Sequence, residues 1–169
     1  MRAIVVHGGA GKWREPFRPA ALRGVARAAD AGWGVLAAGG HAIDAVTIAV
    51  VALEDDPAFN AGTGSVLNEA GEAEMDASVM AGDTLAAGGV SGVTRVRNPV
   101  LVARRVMEAT DCVLLAGPQA TAFAREQGFG DYDPVTAAAR QAWAAARSAP
   151  RATPAEDGAG TVGAVALDA

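Results

Sequence analysis

The chain has 169 residues, enough for one domain of ordinary size. Hydrophobic residues make up 51% and charged residues 20%, the balance of a soluble globular protein rather than a disordered one. The net charge is −5 and the arginines are scattered apart from the Arg104-Arg105 pair, so there is no basic stripe to neutralise phosphates and nucleic-acid binding is excluded. Aromatic residues are only 5% against 21 glycines, so the core must bring backbones close together rather than fill space with rings.

Cys112 is the single cysteine, so no intrachain disulfide can form. It opens the strand-like run Cys112-Val113-Leu114-Leu115-Ala116 and reads as a small buried hydrophobe rather than a reactive thiol. The N-terminal apolar run ends at His7-Gly8-Gly9, too short for a signal peptide, and the longest apolar stretch, 45–53, is far below a membrane span. A cytoplasmic location with no membrane contact is expected.

In chain order, residues 3–6 form a short apolar β run, followed by the glycine-rich turn 7–11. Residues 19–38 read as a helix whose apolar face is Leu22, Val25, Ala29, Trp33 and Leu36, ended by Gly39-Gly40. A second helix, 42–54, is apolar on nearly every side and should be buried, with Pro57 stopping it. The loop 55–64 leads to β runs at 74–80 and 85–93, the first alternating Met75, Ala77 and Val79 on one face. Asn98-Pro99 opens a third helix to about Ala109, with Asn98 as its N-cap. A strand at 112–116, a helix at 118–127 and an alanine-rich helix at 135–146 follow. Residues 148–160 read as a linker, and 161–167 as the last strand.

Several familiar chemistries fail on spacing. Around Gly11-Lys12 a phosphate loop would need glycine at position 6 and a hydroxyl residue at 13, where Val6 and Trp13 stand. His7 and His41 have no carboxylate at zinc-ligand spacing, and no Gly-x-Ser-x-Gly elbow is present. The pair Gly160-Thr161 is more pointed. A threonine whose own amide bond is cut gains an α-amine, with a reference pKa of roughly 7.7–8.0, that can take its hydroxyl proton. Gly160 has no Cβ to hinder attack on its carbonyl, and the β-branch of Thr161 restricts the hydroxyl's direction. Spacing alone leaves this pair open between a self-cutting threonine and an ordinary loop entering a strand.

Seven segments occur in an order that resembles the plant-type L-asparaginases and isoaspartyl peptidases, which are N-terminal-nucleophile hydrolases. They are Ile4-Val5-Val6-His7-Gly8-Gly9-Ala10-Gly11; Ala42-Ile43-Asp44-Ala45-Val46; Leu53-Glu54-Asp55-Asp56-Pro57-Ala58-Phe59-Asn60-Ala61-Gly62-Thr63-Gly64; Met75-Asp76-Ala77-Ser78-Val79-Met80; Val90-Ser91-Gly92-Val93; Asn98-Pro99-Val100-Leu101-Val102-Ala103-Arg104; and Gly160-Thr161-Val162-Gly163-Ala164-Val165-Ala166-Leu167-Asp168. The resemblance is thinnest over 128–159.

The resemblance implies an α/β (α+β) fold, part of a four-layer αββα sandwich whose second half lies beyond this sequence. It implies cleavage between Gly160 and Thr161, with 1–160 as the α-subunit portion and 161–169 as the start of the β subunit. It makes Thr161 the nucleophile toward L-asparagine or β-aspartyl dipeptides, with Asn60 near it to orient the hydroxyl or bind the oxyanion. It implies a structural sodium ion held by main-chain carbonyls of Leu53, Glu54, Asp56, Phe59, Ala61 and Thr63, where the residues alone read as a tight turn, and no cofactor for catalysis. The partners implied are the remaining β-subunit segment and a second αβ unit. The family's substrate-binding residues fall after Ala169, so the chain by itself is expected to be incomplete and inactive. A glycosylasparaginase-like enzyme and a non-catalytic remnant completed by a partner chain remain the alternative readings.

Overall fold

The computed structural model describes residues 1–10, 15, 17–148 and 160–169. Its elements run β1 (Ala3–His7), α1 (Arg18–Ala37), α2 (Ala42–Glu54), β2 (Met75–Met80), β3 (Ala87–Val93), α3 (Pro99–Ala109), β4 (Leu114–Ala116), α4 (Gly117–Glu126), α5 (Ala137–Ser148) and β5 (Gly163–Leu167). The fold is mixed α/β, as expected. Most of the linker read at 148–160 lies outside the described residues, as do Gly11 and Lys12. Among the described residues no helix is long and apolar enough to cross a membrane.

The strands form two sheets. β1 and β5 pair antiparallel, with Val5 opposite Val165 and His7 opposite Gly163. The second sheet has the order β2-β3-β4, β2 antiparallel to β3 and β3 parallel to β4. A bulge between Met75 and Ala77 shifts the β2 register, and there Asp76 Oδ1 accepts the Gly92 N–H at 2.7 Å. Helices α1 and α2 pack on the first sheet, α3 and α4 on the second. Each sheet therefore has one helix-covered face, and an open cleft of about 1860 Å³ is lined by residues of both sheets.

Two apolar clusters hold these layers. Met75, Val79, Val90, Val93, Val102 and Val106 centre the one beneath α3 and α4. Ala21, Ala28, Leu53 and Phe59, with Val6, Val25 and Val162 packed against them, form the other. Small residues set the spacing, as the composition implies. A Cβ on Gly88 would lie 2.5 Å from Met107 N, so α3 rides directly on the β3 backbone.

The same constraint moves the buried face of α1. Leu22 and Trp33, read as core, are 61% and 47% exposed, while Ala21, Gly24, Ala28, Gly32 and Leu36 are buried. The helix sits so close to α2 and the 55–64 loop that only a row of small residues fits. A Cβ on Gly24 would fall 2.7 Å from the Phe59 ring, and one on Gly32 would fall 2.8 Å from the Ala45 carbonyl oxygen. The helix ends as read. Gly39 has φ +85°, and its N–H and that of Gly40 return to the Leu36 and Val35 carbonyls at 3.0 and 2.9 Å.

Three smaller readings change. Cys112 is exposed rather than buried, because pairing with β3 begins only at Leu114. Helix α2 leaves Ile48 exposed on its outer side, since α1 and the sheet cover only part of its circumference. Asn98 occupies the N-cap position of α3 but makes no side-chain cap there. Its amide instead donates to Asp55 Oδ1 at 3.1 Å, because another side chain already accepts from the first turn of α3.

Replacing Gly32 with Ala should cost about 1–3 kcal/mol through overpacking against Ala45. In a chain of this size that is a fall in Tm of roughly 2–12 °C, measurable by calorimetry, whereas Gly34→Ala, where a Cβ meets nothing within 4 Å, should leave Tm unchanged or raise it.

Candidate active site

Of the site residues read from the sequence, part lines the cleft between the sheets, while Leu53, Asp56, Phe59 and Thr63 lie outside its lining. Thr161, Gly160 and Asn60 all line it. Thr161 is exposed at the head of β5, just before regular pairing starts at Gly163. Val162 packs into the cluster beneath α1, so in this extended run its neighbour Thr161 faces the opposite, open side. Gly160 lies against the N-terminal glycine turn: a Cβ there would come within 2.9 Å of Gly9 Cα. Gly9 has φ +118°, a conformation few other residues adopt. The turn thus permits a backbone-to-backbone approach at the bond preceding Thr161.

Asn60 is held by its own loop. Its Oδ1 accepts the Val66 N–H at 2.9 Å, which leaves the amide NH₂ as the donor end. The loop itself is clamped from several sides. Asp56 Oδ2 accepts from Arg27 of α1 at 2.5 Å and its Oδ1 from Ala58 N–H at 3.0 Å. Asp55 Oδ1 accepts from Arg97 Nε at 2.9 Å. Thr63 Oγ1 bonds to the Tyr132 hydroxyl at 2.9 Å, and the Gly64 N–H donates to Pro134 O at 2.9 Å. Phe59 is fully buried, wedged among Gly8, Gly24 and the α1 cluster.

The carbonyls read as sodium ligands sit where α2 ends and this loop folds back on it. Leu53 and Glu54 supply last-turn carbonyls, the negative end of the helix dipole. Glu54 O accepts Thr63 N–H at 2.7 Å, Leu53 O accepts Asp56 N–H and Asp56 O accepts Phe59 N–H at 3.1 Å. A carbonyl has two lone pairs, so one such bond leaves each oxygen able to serve a cation as well. Gly62, with φ +51°, lets the chain curl so tightly that a Cβ there would meet Glu54 Cβ at 2.7 Å. Neutral carbonyl oxygens near a helix C-terminus are the ligand type a hard cation takes, so in donor chemistry the residues fit the implied ion.

Two functional contacts were not read from the sequence. Glu54 has its side chain 2% exposed, and its Oε1 accepts the Val100 N–H at 3.0 Å in the first turn of α3. It thereby does the capping expected of Asn98, and its Oε2 has no hydrogen-bond partner among the described residues. The only hint was an acid closing an otherwise apolar helix. The second is Asp168, whose Oδ2 accepts the Ala42 N–H at 2.8 Å and lies 3.8 Å from His41 Nδ1. It fastens the end of β5 to the start of α2, a pairing across the whole chain that no local pattern signals.

Burial pushes the Glu54 carboxyl up to about 8, with the Asp55 charge adding to it and the Val100 N–H and Asn98 amide opposing. Because the folded state holds this proton far more tightly than an unfolded carboxyl near 4.5, stability from Glu54 is complete below that value and falls as pH rises toward 8. Glu54→Gln should remove this slope while keeping the acceptor for Val100. Unfolding titrations at pH 5 and pH 8 should show the wild type losing on the order of 3–5 kcal/mol more than the variant.

A family model described as asparaginase matches residues 1–169. Over 144 residues the chain is 55% identical to the plant-type L-asparaginase of Pyrococcus abyssi, covering 85% of this chain and 47% of that protein. It is 47% identical over 170 residues to an isoaspartyl peptidase/L-asparaginase of Xenopus laevis, covering 98% of this chain and 55% of that one. To the human protein of the same description it is 52% identical over 126 residues, 74% of this chain and 41% of the relative. The chain thus spans about half the length of the curated relatives it matches. It belongs to the asparaginase family.

Proposed function

We propose that the chain carries the nucleophile of an autoprocessing threonine amidohydrolase that cleaves the side-chain amide of L-asparagine and the isoaspartyl bond of β-aspartyl dipeptides. What supports this most is the seating of the Gly160–Thr161 bond: backbone pressed on Gly9, with Thr161 open to a cleft that Asn60 also lines. Thr161 Oγ attacks the Gly160 carbonyl to give an ester, and water then releases residues 1–160 as one chain and a second chain beginning at Thr161. The freed α-amine takes the hydroxyl proton in the next attack, on the substrate amide. Ammonia or an amino acid leaves, and water hydrolyses the acyl-enzyme. Asn60 donates its NH₂ to the developing oxyanion or to Thr161.

Further strands of the protein complete the site from the open face of the β1–β5 sheet, where Val5 and Val165 stand 69% and 73% exposed among the described residues. Two such αβ units associate. A sodium ion held by carbonyls of Leu53, Glu54, Asp56, Phe59, Ala61 and Thr63 stiffens the loop that presents Asn60, and supplies charge neutralisation at the end of α2.

Intact mass and N-terminal sequencing of the protein made from its full gene test the first step. Two chains are expected, one starting at Thr161, and a single chain for Thr161→Ala; a Thr161→Ala protein that still cuts there sinks the reading. Asn60→Ala should process or turn over about 10²–10³-fold more slowly, read as kcat on asparagine with KM little changed. Exchanging sodium for tetramethylammonium at constant ionic strength should lower Tm, while adding the same tetramethylammonium at fixed sodium should not.

A further inference from the structure

We propose that His7 is the proton carrier for the cut before Thr161, a role that rests on the self-processing reading above. The strand register makes the argument. His7 stands directly opposite Gly163, and both are on the face turned away from the helices. The alternate residues Ile4 and Val6 are the ones turned to α1, with Val6 in the cluster that also receives Val162. Thr161 stands two residues before the paired run, exposed, while Val162 between it and Gly163 packs inward, which puts Thr161 on the side of Gly163. Cross-strand diagonal neighbours are about 7–8 Å apart, within reach of a long side chain.

Glycines clear the way. Gly9 lies in the turn after β1, against Gly160, and Gly163 faces His7, where a Cβ would meet nothing within 4 Å. His7 is exposed and makes no hydrogen bond among the described residues. Among the described residues that face is otherwise apolar, with Ala3, Val5, Val165 and Leu167, and the imidazole is the group there able to accept and return a proton. Before the cut Thr161 has no free amine, so the mature enzyme's own base does not yet exist and another is needed.

The step balances. The imidazole takes the Oγ proton as Oγ bonds to the Gly160 carbonyl carbon. It then gives that proton to the Thr161 nitrogen as the C–N bond breaks, leaving an ester and a free amine. Water hydrolyses the ester to the Gly160 carboxylate and restores the hydroxyl.

The test is the cleavage rate of freshly purified, uncut full-length protein, followed by intact mass. His7→Ala should slow cleavage by about 10²-fold or more, with unfolding curves matched to wild type, and added imidazole should restore part of the rate. Gly163→Val, which puts a branched side chain between the two residues, should slow wild type but add little to His7→Ala. A His7→Ala protein that cuts at the wild-type rate, or slows without response to imidazole, overturns the proposal. Additive effects of the two substitutions overturn it as well. A wild-type protein that never cuts before Thr161 instead overturns the self-processing reading, and His7's role falls with it.

Discussion

The two helix–sheet halves of this molecule meet where α2 ends, and the joint is a carboxyl that water cannot reach. Glu54 belongs by its backbone to the α1–α2 half and by its side chain to α3, whose first-turn N–H it accepts. Around it Asp55 collects Arg97 and Asn98 from the approach to α3. Higher up the same helices, Arg104 reaches back to Asp44 at 2.5 Å and to Thr47 at 3.5 Å. A group this buried is costly when charged, so the joint works best with the proton on. The arrangement fixes the angle between the sheets, and so the width of the cleft that Thr161 and Asn60 share.

Close approach is the second constraint, and glycine serves it at each place where the site is assembled. Gly24 and Gly8 admit the Phe59 ring, which anchors the loop carrying Asn60. Gly9 admits Gly160. A side chain at any of these would push apart elements whose contact defines the site. The low aromatic content and the high glycine count are therefore linked: among the described residues Phe59 is the fully buried ring, and Gly8 and Gly24 make room for it.

Much of this was legible from local patterns. The limits of α2 and α3 follow from Pro57, Pro99 and apolar periodicity, and Gly39-Gly40 marked the end of α1 because a left-handed residue is needed there. The face of α1 was not legible, since hydrophobicity favours Leu22 and Trp33 while packing distance favours Gly24, Gly32 and Ala28. Cys112 misled for a related reason: an apolar run reads as a strand from its first residue, whereas pairing decides where it begins. The meeting of Gly160 with Gly9, of Asp168 with Ala42 and of Glu54 with Val100 depends on tertiary contacts across long stretches of chain. Only the order of the family's segments pointed toward the first of these, and nothing local pointed toward the other two.

The pairing of β1 with β5 has a temporal consequence. These strands are separated by all the other described elements, so their ladder closes a long loop, a slow kind of contact to form. The turn at Gly9 meets Gly160 only when that loop has closed and Asp168 has locked onto α2. A half-folded chain holds all the atoms of the Gly160–Thr161 bond but not their arrangement against Gly9. Scission at Thr161, under the proposed reading, would thus act as a checkpoint on maturation, withheld until β1 has found β5.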